Sequence, residues 1–205
     1  MLTGVDTLHP VEVRVLGALL EKDITTPEYY PLTVNALQNA CNQKSSREPV
    51  VNYSEEIVTE AVASLQHRGL ALRISGAGHR VEKYGHRLGE KLNLGRREQA
   101  LLCVLMLRGP QTVGELRGRT ERMHDFADLE EVERVLESLQ SREPEALVAP
   151  VARGRWVQLL GGPFEESAEP AATGVRTPLE ERVEALEREV AEMRQQLESF
   201  RRQFE

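Results

Sequence analysis

The 205-residue sequence is poor in aromatic residues, which make up 4% of it, and has only two cysteines. Cys41 and Cys103 offer no CxxC pair and too few thiols for a disulfide framework, so a reduced, cytoplasmic protein is expected. No apolar run exceeds eight residues (100–107), far short of the about 20 that a membrane-spanning helix needs. The first residues lack the basic start and apolar stretch of a secretory leader, and no membrane partner is expected. Positive charge is not in excess: 26 Lys and Arg stand against 33 Asp and Glu, net −7, which excludes a basic nucleic-acid-coating protein. Catalytic patterns are missing too. The five histidines form no HxxxH or HExxH arrangement, and neither cysteine has a metal-ligand partner at useful spacing. Gly76-Ala-Gly78 lacks the third glycine and following helix of a dinucleotide fingerprint. Cys41, near Lys44, is the sole nucleophile candidate, and a small buried residue at a helix end accounts for it better. The expectation is a non-enzymatic protein with no cofactor and no metal.

What charge there is lies unevenly. Residues 163–205 hold 11 acids and 6 bases, whereas residues 1–162 hold 22 acids and 20 bases. Within the body, residues 67–97 carry eight bases (Arg68, Arg73, Arg80, Lys83, Arg87, Lys91, Arg96 and Arg97) against Glu82 and Glu90, a +6 strip. Such a strip is either a phosphate footprint or a solvated face with ordinary ion pairs.

The body also repeats itself. A hydrophobic helix at 11–20 is matched at 97–106, and a short helix opened by Thr33-Val34 is matched at Thr112-Val113. Thr112-Val-Gly-Glu115 has capping-box spacing, and Asp128 with Glu131 opens the next helix similarly. An amphipathic helix with Ile57, Val58, Ala61, Val62 and Leu65 on one face is matched by Leu129, Val132, Val135, Leu136 and Leu139. Each is followed by a hairpin pattern: strands at 70–74 and 80–84, then at 146–149 and 155–160 around Arg153-Gly154. Three helices and a hairpin, twice, predict a mainly α (α+β) fold. It would consist of two tandem winged-helix domains, a helix-turn-helix variant, at 1–88 and 89–162. A flexible linker at 163–176 and a C-terminal coiled-coil helix at 177–205 complete the expected organisation.

The first copy is longer, at 24–31 and 41–51, and polar, Pro-bearing insertions of this kind often carry function. Glu21-Lys22, then Thr26-Pro-Glu-Tyr-Tyr-Pro-Leu-Thr-Val-Asn-Ala-Leu37, then Ala40-Cys41-Asn42-Gln43-Lys44-Ser45-Ser46-Arg47-Glu48-Pro49-Val50 together resemble the signature of the YceH-like family. The resemblance spans roughly residues 5–162, with Ser46 standing where the family pattern has Asn. It implies tandem winged helices and brings no established substrate, cofactor or catalytic residue.

The third helices are unsuited to the usual insertion into a major groove, because Glu55, Glu56 and Glu60, and Glu130, Glu131, Glu133 and Glu137, would face phosphates. Double-stranded DNA binding is therefore expected through the basic first wing and its surroundings: Arg73, Arg80, Lys83 and Arg87, with Lys44 and Arg47 of the motif loop. The alternative is a protein–protein scaffold using the acidic faces, similar in general layout to the chromosome-segregation scaffold ScpB. That likeness is one of fold only.

The tail has a heptad. Thr177-Pro178-Leu179-Glu180 supplies a cap, a first-turn proline and a capping-box Glu. Leu179, Val183, Leu186, Val190, Met193 and Leu197 then alternate in steps of four and three, continued by Phe200 and Phe204. β-Branched residues at a and Leu at d favour a parallel two-stranded coil, so the chain is expected to homodimerise there. The apolar 100–107 helix is expected to be covered on all sides, between lobes or between subunits.

Overall fold

The structure, a computed structural model, describes residues 7–74 and 81–164. It is a mixed α+β fold dominated by helix. The described elements are α1 (Pro10–Thr25), α2 (Val34–Cys41), α3 (Glu55–His67), β1 (Ala71–Ile74), β2 (Lys83–His86) and a short α4 (Leu88–Leu92). There follow α5 (Arg96–Arg108), β3 (Gln111–Thr112), α6 (Val113–Thr120), α7 (Leu129–Gln140), β4 (Val148–Val151) and β5 (Arg155–Gln158). Arg80, the heptad residues Leu179, Val183, Leu186, Val190, Met193 and Leu197, and the linker beyond Phe164 lie outside the described residues.

Local chemistry sets the helix starts. His9 Nδ1 accepts from the Val11 amide, the Glu12 carboxylate reaches back 2.6 Å to the His9 amide, and Pro10 opens α1. Thr33 Oγ1 caps α2 through the Ala36 amide at 3.2 Å, and Ser54 caps α3. Thr112 and Glu115 close a reciprocal capping box on α6. Asp128 accepts from the Glu131 amide at 2.7 Å, while the Glu131 carboxylate reaches past it to the Ala127 amide.

The repeat extends to the sheets. Leu32, just before α2, exchanges two main-chain bonds with Tyr84 of β2 at 3.0 and 2.7 Å. In the second half β3, just before α6, pairs antiparallel with β5, giving the order β3-β5-β4. Two details differ from the sequence pattern. The second strand of the first hairpin begins at Lys83, not near residue 80, because its register is fixed by Leu32 and by pairing of Arg73 with Tyr84. Ile57 and Leu129, assigned by spacing to the apolar faces, are exposed, and Val58 and Val132 begin the buried stripes. The second hairpin turns at Arg153 and Gly154, both at left-handed φ of 60° and 66°.

The two halves share a single hydrophobic core. In α1 the nine residues from Glu12 to Leu20 are all buried, and in α5 so are the eight from Ala100 to Leu107. These two helices pack on each other, which explains why the α5 stretch is wholly apolar and the α1 stretch has only Glu12 and Arg14 as charged residues. Gly17 marks their closest approach. A Cβ there would stand 3.0 Å from Met106 Cβ and Leu107 Cδ2, and Cys103 Sγ sits 3.6 Å from the Gly17 carbonyl. The apolar 100–107 segment is thus covered from within the chain. Two further main-chain bonds tie the halves: Glu48 N to Leu107 O at 2.9 Å and Leu8 N to Leu160 O at 2.8 Å. Residues through Phe164 consequently form one compact unit. Among the described residues no helix is long and apolar enough to cross a membrane.

Candidate nucleic-acid interface and the motif loop

The basic hairpin and the motif loop lie in the same half of the chain but differ in how their cations are used. On the hairpin, Arg73 is exposed and meets Glu82 at 2.5 Å. The Tyr84 hydroxyl also donates to Glu82, and these two neighbours hold that carboxyl below its ordinary range. Lys83 is half-buried, and Arg87 is exposed with Glu90 at 2.9 Å. Exposed pairs of this kind are weak and salt-screened, so their cations remain available to a phosphate. The solvent face of α3 presents Glu55, Glu56 and Glu60, and that of α7, in the second half, presents Glu130, Glu133 and Glu137.

The hairpin is braced from the insertion at 24–31. Tyr30 packs against the core and its hydroxyl accepts from the His86 amide at 2.6 Å. The His86 ring receives the Leu88 amide at Nδ1, which leaves Nε2 to donate to Asp23 at 3.2 Å. Burial keeps the His86 pKa below its ordinary value, against the opposing pull of Asp23. Tyr29, its neighbour, is 73% exposed.

The motif loop turns its chemistry inward. Arg47 was a candidate phosphate contact, but its side chain has no solvent exposure. Its guanidinium grips Glu21 of α1 with two bonds of 3.0 and 2.6 Å, and also donates to Ala40 O, Ser46 O and Gln43 Oε1. All its donating directions are spent on the fold, so Arg47 leaves the set of surface cations. Arg14, also buried, donates to Cys41 O at 3.3 Å and Pro49 O at 2.7 Å. Asn42 exchanges a reciprocal pair of bonds with the Tyr53 main chain at 2.8 and 2.9 Å. The Cys41 thiol is buried and pushed up to about 12 by desolvation, only partly offset by Arg47 and Arg14, which makes it a poor nucleophile. Of the motif residues Cys41, Asn42, Gln43, Lys44, Arg47 and Pro49, only Lys44 and Pro49 are exposed, and the Pro49 carbonyl is held by Arg14. Glu21 itself is held below its usual value: burial opposes this, and the Arg47 bonds and charge, helped by Lys22, overcome it.

A second group of cations was invisible as a sequence run. Lys22 from the end of α1, Arg108 from the end of α5, Arg119 from the end of α6 and Arg122 just beyond it line one cleft of about 230 Å³ beside the motif loop. They come from three distant stretches, and only packing of α1 on α5 assembles them. Among the described residues, no group of three His, Cys, Asp or Glu is placed to hold a metal ion.

The Arg47–Glu21 clamp should carry much of the stability of the first half. Replacing Arg47 by Met leaves a largely buried carboxylate without its partner and should cost about 3 kcal/mol in urea unfolding. The Glu21→Gln, Arg47→Met double variant should be less destabilised than the sum of the singles. A loss below ~0.5 kcal/mol for Arg47→Met, the range of ordinary surface changes, would contradict this role.

Comparison with known proteins places these features in a family. Residues 8–155 match the family described as "Protein of unknown function, DUF480". A UPF0502 protein of Solibacter usitatus is 54% identical over 206 residues, covering 97% of this chain and 98% of the relative. A UPF0502 protein of Citrifermentans bemidjiense is 57% identical over 162 residues, covering 76% and 74%. The UPF0502 protein YceH of Salmonella paratyphi A is 46% identical over 208 residues, covering 94% and 95%. With its Glu21–Arg47 clamp and the signature loop around it, the chain belongs to the DUF480 family, among the YceH-like UPF0502 proteins.

Proposed function

We propose that this is a cytoplasmic, non-enzymatic protein of two tandem winged helices that binds double-stranded DNA through its first wing. The element order supports the fold reading, since each half has three helices, a short pairing segment before the second, and a closing hairpin. One observation carries the binding mode: exposed Arg73 and Arg87 flank half-buried Lys83 on the first hairpin, while the third helices are lined with glutamate. Phosphate contacts would come from these cations and from Lys44, with Arg80 added from the sequence pattern. A groove-inserted helix is disfavoured, so affinity would be strongly salt-dependent and weakly sequence-dependent.

A second reading has its own support. Exposed Ile57 (41%) lies among Glu55, Glu56 and Glu60 on α3, an apolar residue in an acidic face of the kind a protein partner covers. In this reading the protein is a scaffold.

Fluorescence anisotropy with mixed-sequence duplex DNA separates the two. Binding at low salt should weaken with rising salt, and each of Arg73→Ala, Lys83→Ala and Arg87→Ala should reduce the log–log salt slope by about 0.9. No binding at low salt, or a slope unmoved by all three changes, overturns the DNA reading and leaves the scaffold.

The heptad at 177–205 carries the proposed homodimer on sequence pattern alone. Sedimentation should find the full chain dimeric and a chain ending at Arg176 monomeric. A truncated chain that stays dimeric would place the contact elsewhere.

A further inference from the structure

The cleft beside the motif loop has the composition of a binding site. One wall is Glu21, Lys22, Thr25 and Thr26 at the end of α1; a second is Gln43, Ser45 and Ser46 of the motif loop. Cys103, Val104, Leu107 and Met123 add apolar lining, and Arg108, Arg119 and Arg122 complete it. Its one carboxylate is already committed, since Glu21 holds Arg47 at 2.6 Å and Lys22 at 3.2 Å. Arg119 shares Glu115 through Nη2 at 3.3 Å, but its Nη1 is buried and has no hydrogen-bond partner. Buried donors are nearly always satisfied, so this guanidinium gains its missing acceptor only by turning toward the cleft. Arg108 adds to this demand: burial, and then the charges of Arg119 and Arg47, hold its pKa below the ordinary value against the smaller opposing pull of Glu21 and Glu48. Guanidiniums that repel one another along one cleft are stabilised by an anion bound there.

The helix ends supply part of a counter-charge. Three C-termini, of α1, α5 and α6, come to the cleft, each worth about half a negative charge. That does not match four cationic side chains, nor does it give Arg119 Nη1 a partner. The size limits what can enter: about 230 Å³ lies below the ~300–1,000 Å³ of sites for larger organic ligands. The hydroxyls of Thr25 and Thr26 already donate to the Glu21 and Lys22 carbonyls, which leaves those of Ser45 and Ser46 and the Gln43 NH2 to serve the remaining oxygens of a compact tetrahedral anion.

We propose that this cleft binds a small phosphate-bearing molecule, a phosphate monoester or diphosphate, held by Arg108, Arg119 and Arg122 against the hydroxyls of the motif loop. The site is separate from the basic hairpin and does not depend on the DNA reading. It also connects the family signature to a ligand, because the loop that the Arg47–Glu21 clamp holds is one of its walls.

Isothermal titration calorimetry of the full chain in chloride buffer, with pyrophosphate and with inorganic phosphate as probes, tests it. Saturable binding of one pyrophosphate per chain is expected, weakened about tenfold or more by Arg119→Gln and by Arg122→Gln and unchanged by Arg73→Ala. Arg122 is exposed, so its variant should fold normally, as circular dichroism can check. The parent's melting temperature should rise with pyrophosphate, and that of Arg122→Gln should rise less. No saturable heat at about 10 mM pyrophosphate, a concentration at which even a millimolar site would be largely filled, overturns the proposal. So does binding that persists at full strength in both variants. Displacement of bound pyrophosphate by mixed-sequence duplex DNA would assign the cleft to backbone phosphates and equally overturn it.

Discussion

Helices α1 and α5 each bury a whole stretch of their circumference, and each supplies much of the other's cover. Neither half could expose such a helix to water without presenting an apolar surface of the kind that soluble chains avoid. Gly17 is where that demand becomes geometric, since the helices meet closely enough that a single Cβ would crowd Met106 and Leu107. From this contact follow the single core, the approach of the motif loop to the end of α5, and the meeting of cations from three separate helices. The repeated halves are therefore not beads on a string, and features of one half are completed by the other.

Polar chemistry is spent in two ways in the same neighbourhood. Arg47 and Arg14 are buried, and the main chain of the motif loop is hung on them: Ala40, Ser46, Cys41 and Pro49 carbonyls all accept from one or the other. Unpaired, such charges would be costly to bury; with Glu21 and ordered carbonyls around them they fix a loop that has almost no regular structure. Lys22, Arg108, Arg119 and Arg122 belong to a different category, lining a cleft whose one lining carboxylate, Glu21, is already engaged. The hairpin cations form a third group, exposed and loosely paired. Counting Lys and Arg along the chain merges these groups, although their physical availability runs from none to complete.

How much of this the sequence disclosed follows the range of each interaction. Caps at Thr112 and Asp128 were legible because donor and acceptor lie three residues apart. The repeat was legible because short landmarks recur in order. The start of β2 was not, since the glycines at 76 and 78 imply a tight turn while the register is set by Leu32, some fifty residues earlier. Arg47 looked like a surface cation because its partner, Glu21, is 26 residues away. Ile57 and Leu129 fit a helical stripe by spacing, but spacing gives a direction and says nothing of where the neighbouring element ends. The cleft was least legible of all, its four cations being scattered between residues 22 and 122.

If the α1–α5 contact is what makes the body one structure, the two halves should open together. Native-state hydrogen exchange of the full chain, followed across sub-denaturing urea, measures this directly. The slowest amides of α1 and of α5 should converge on the same free energy of opening with the same urea dependence, equal to that of global unfolding. Amides of one helix exchanging through a distinct, lower-energy opening while the other stays protected would contradict the account.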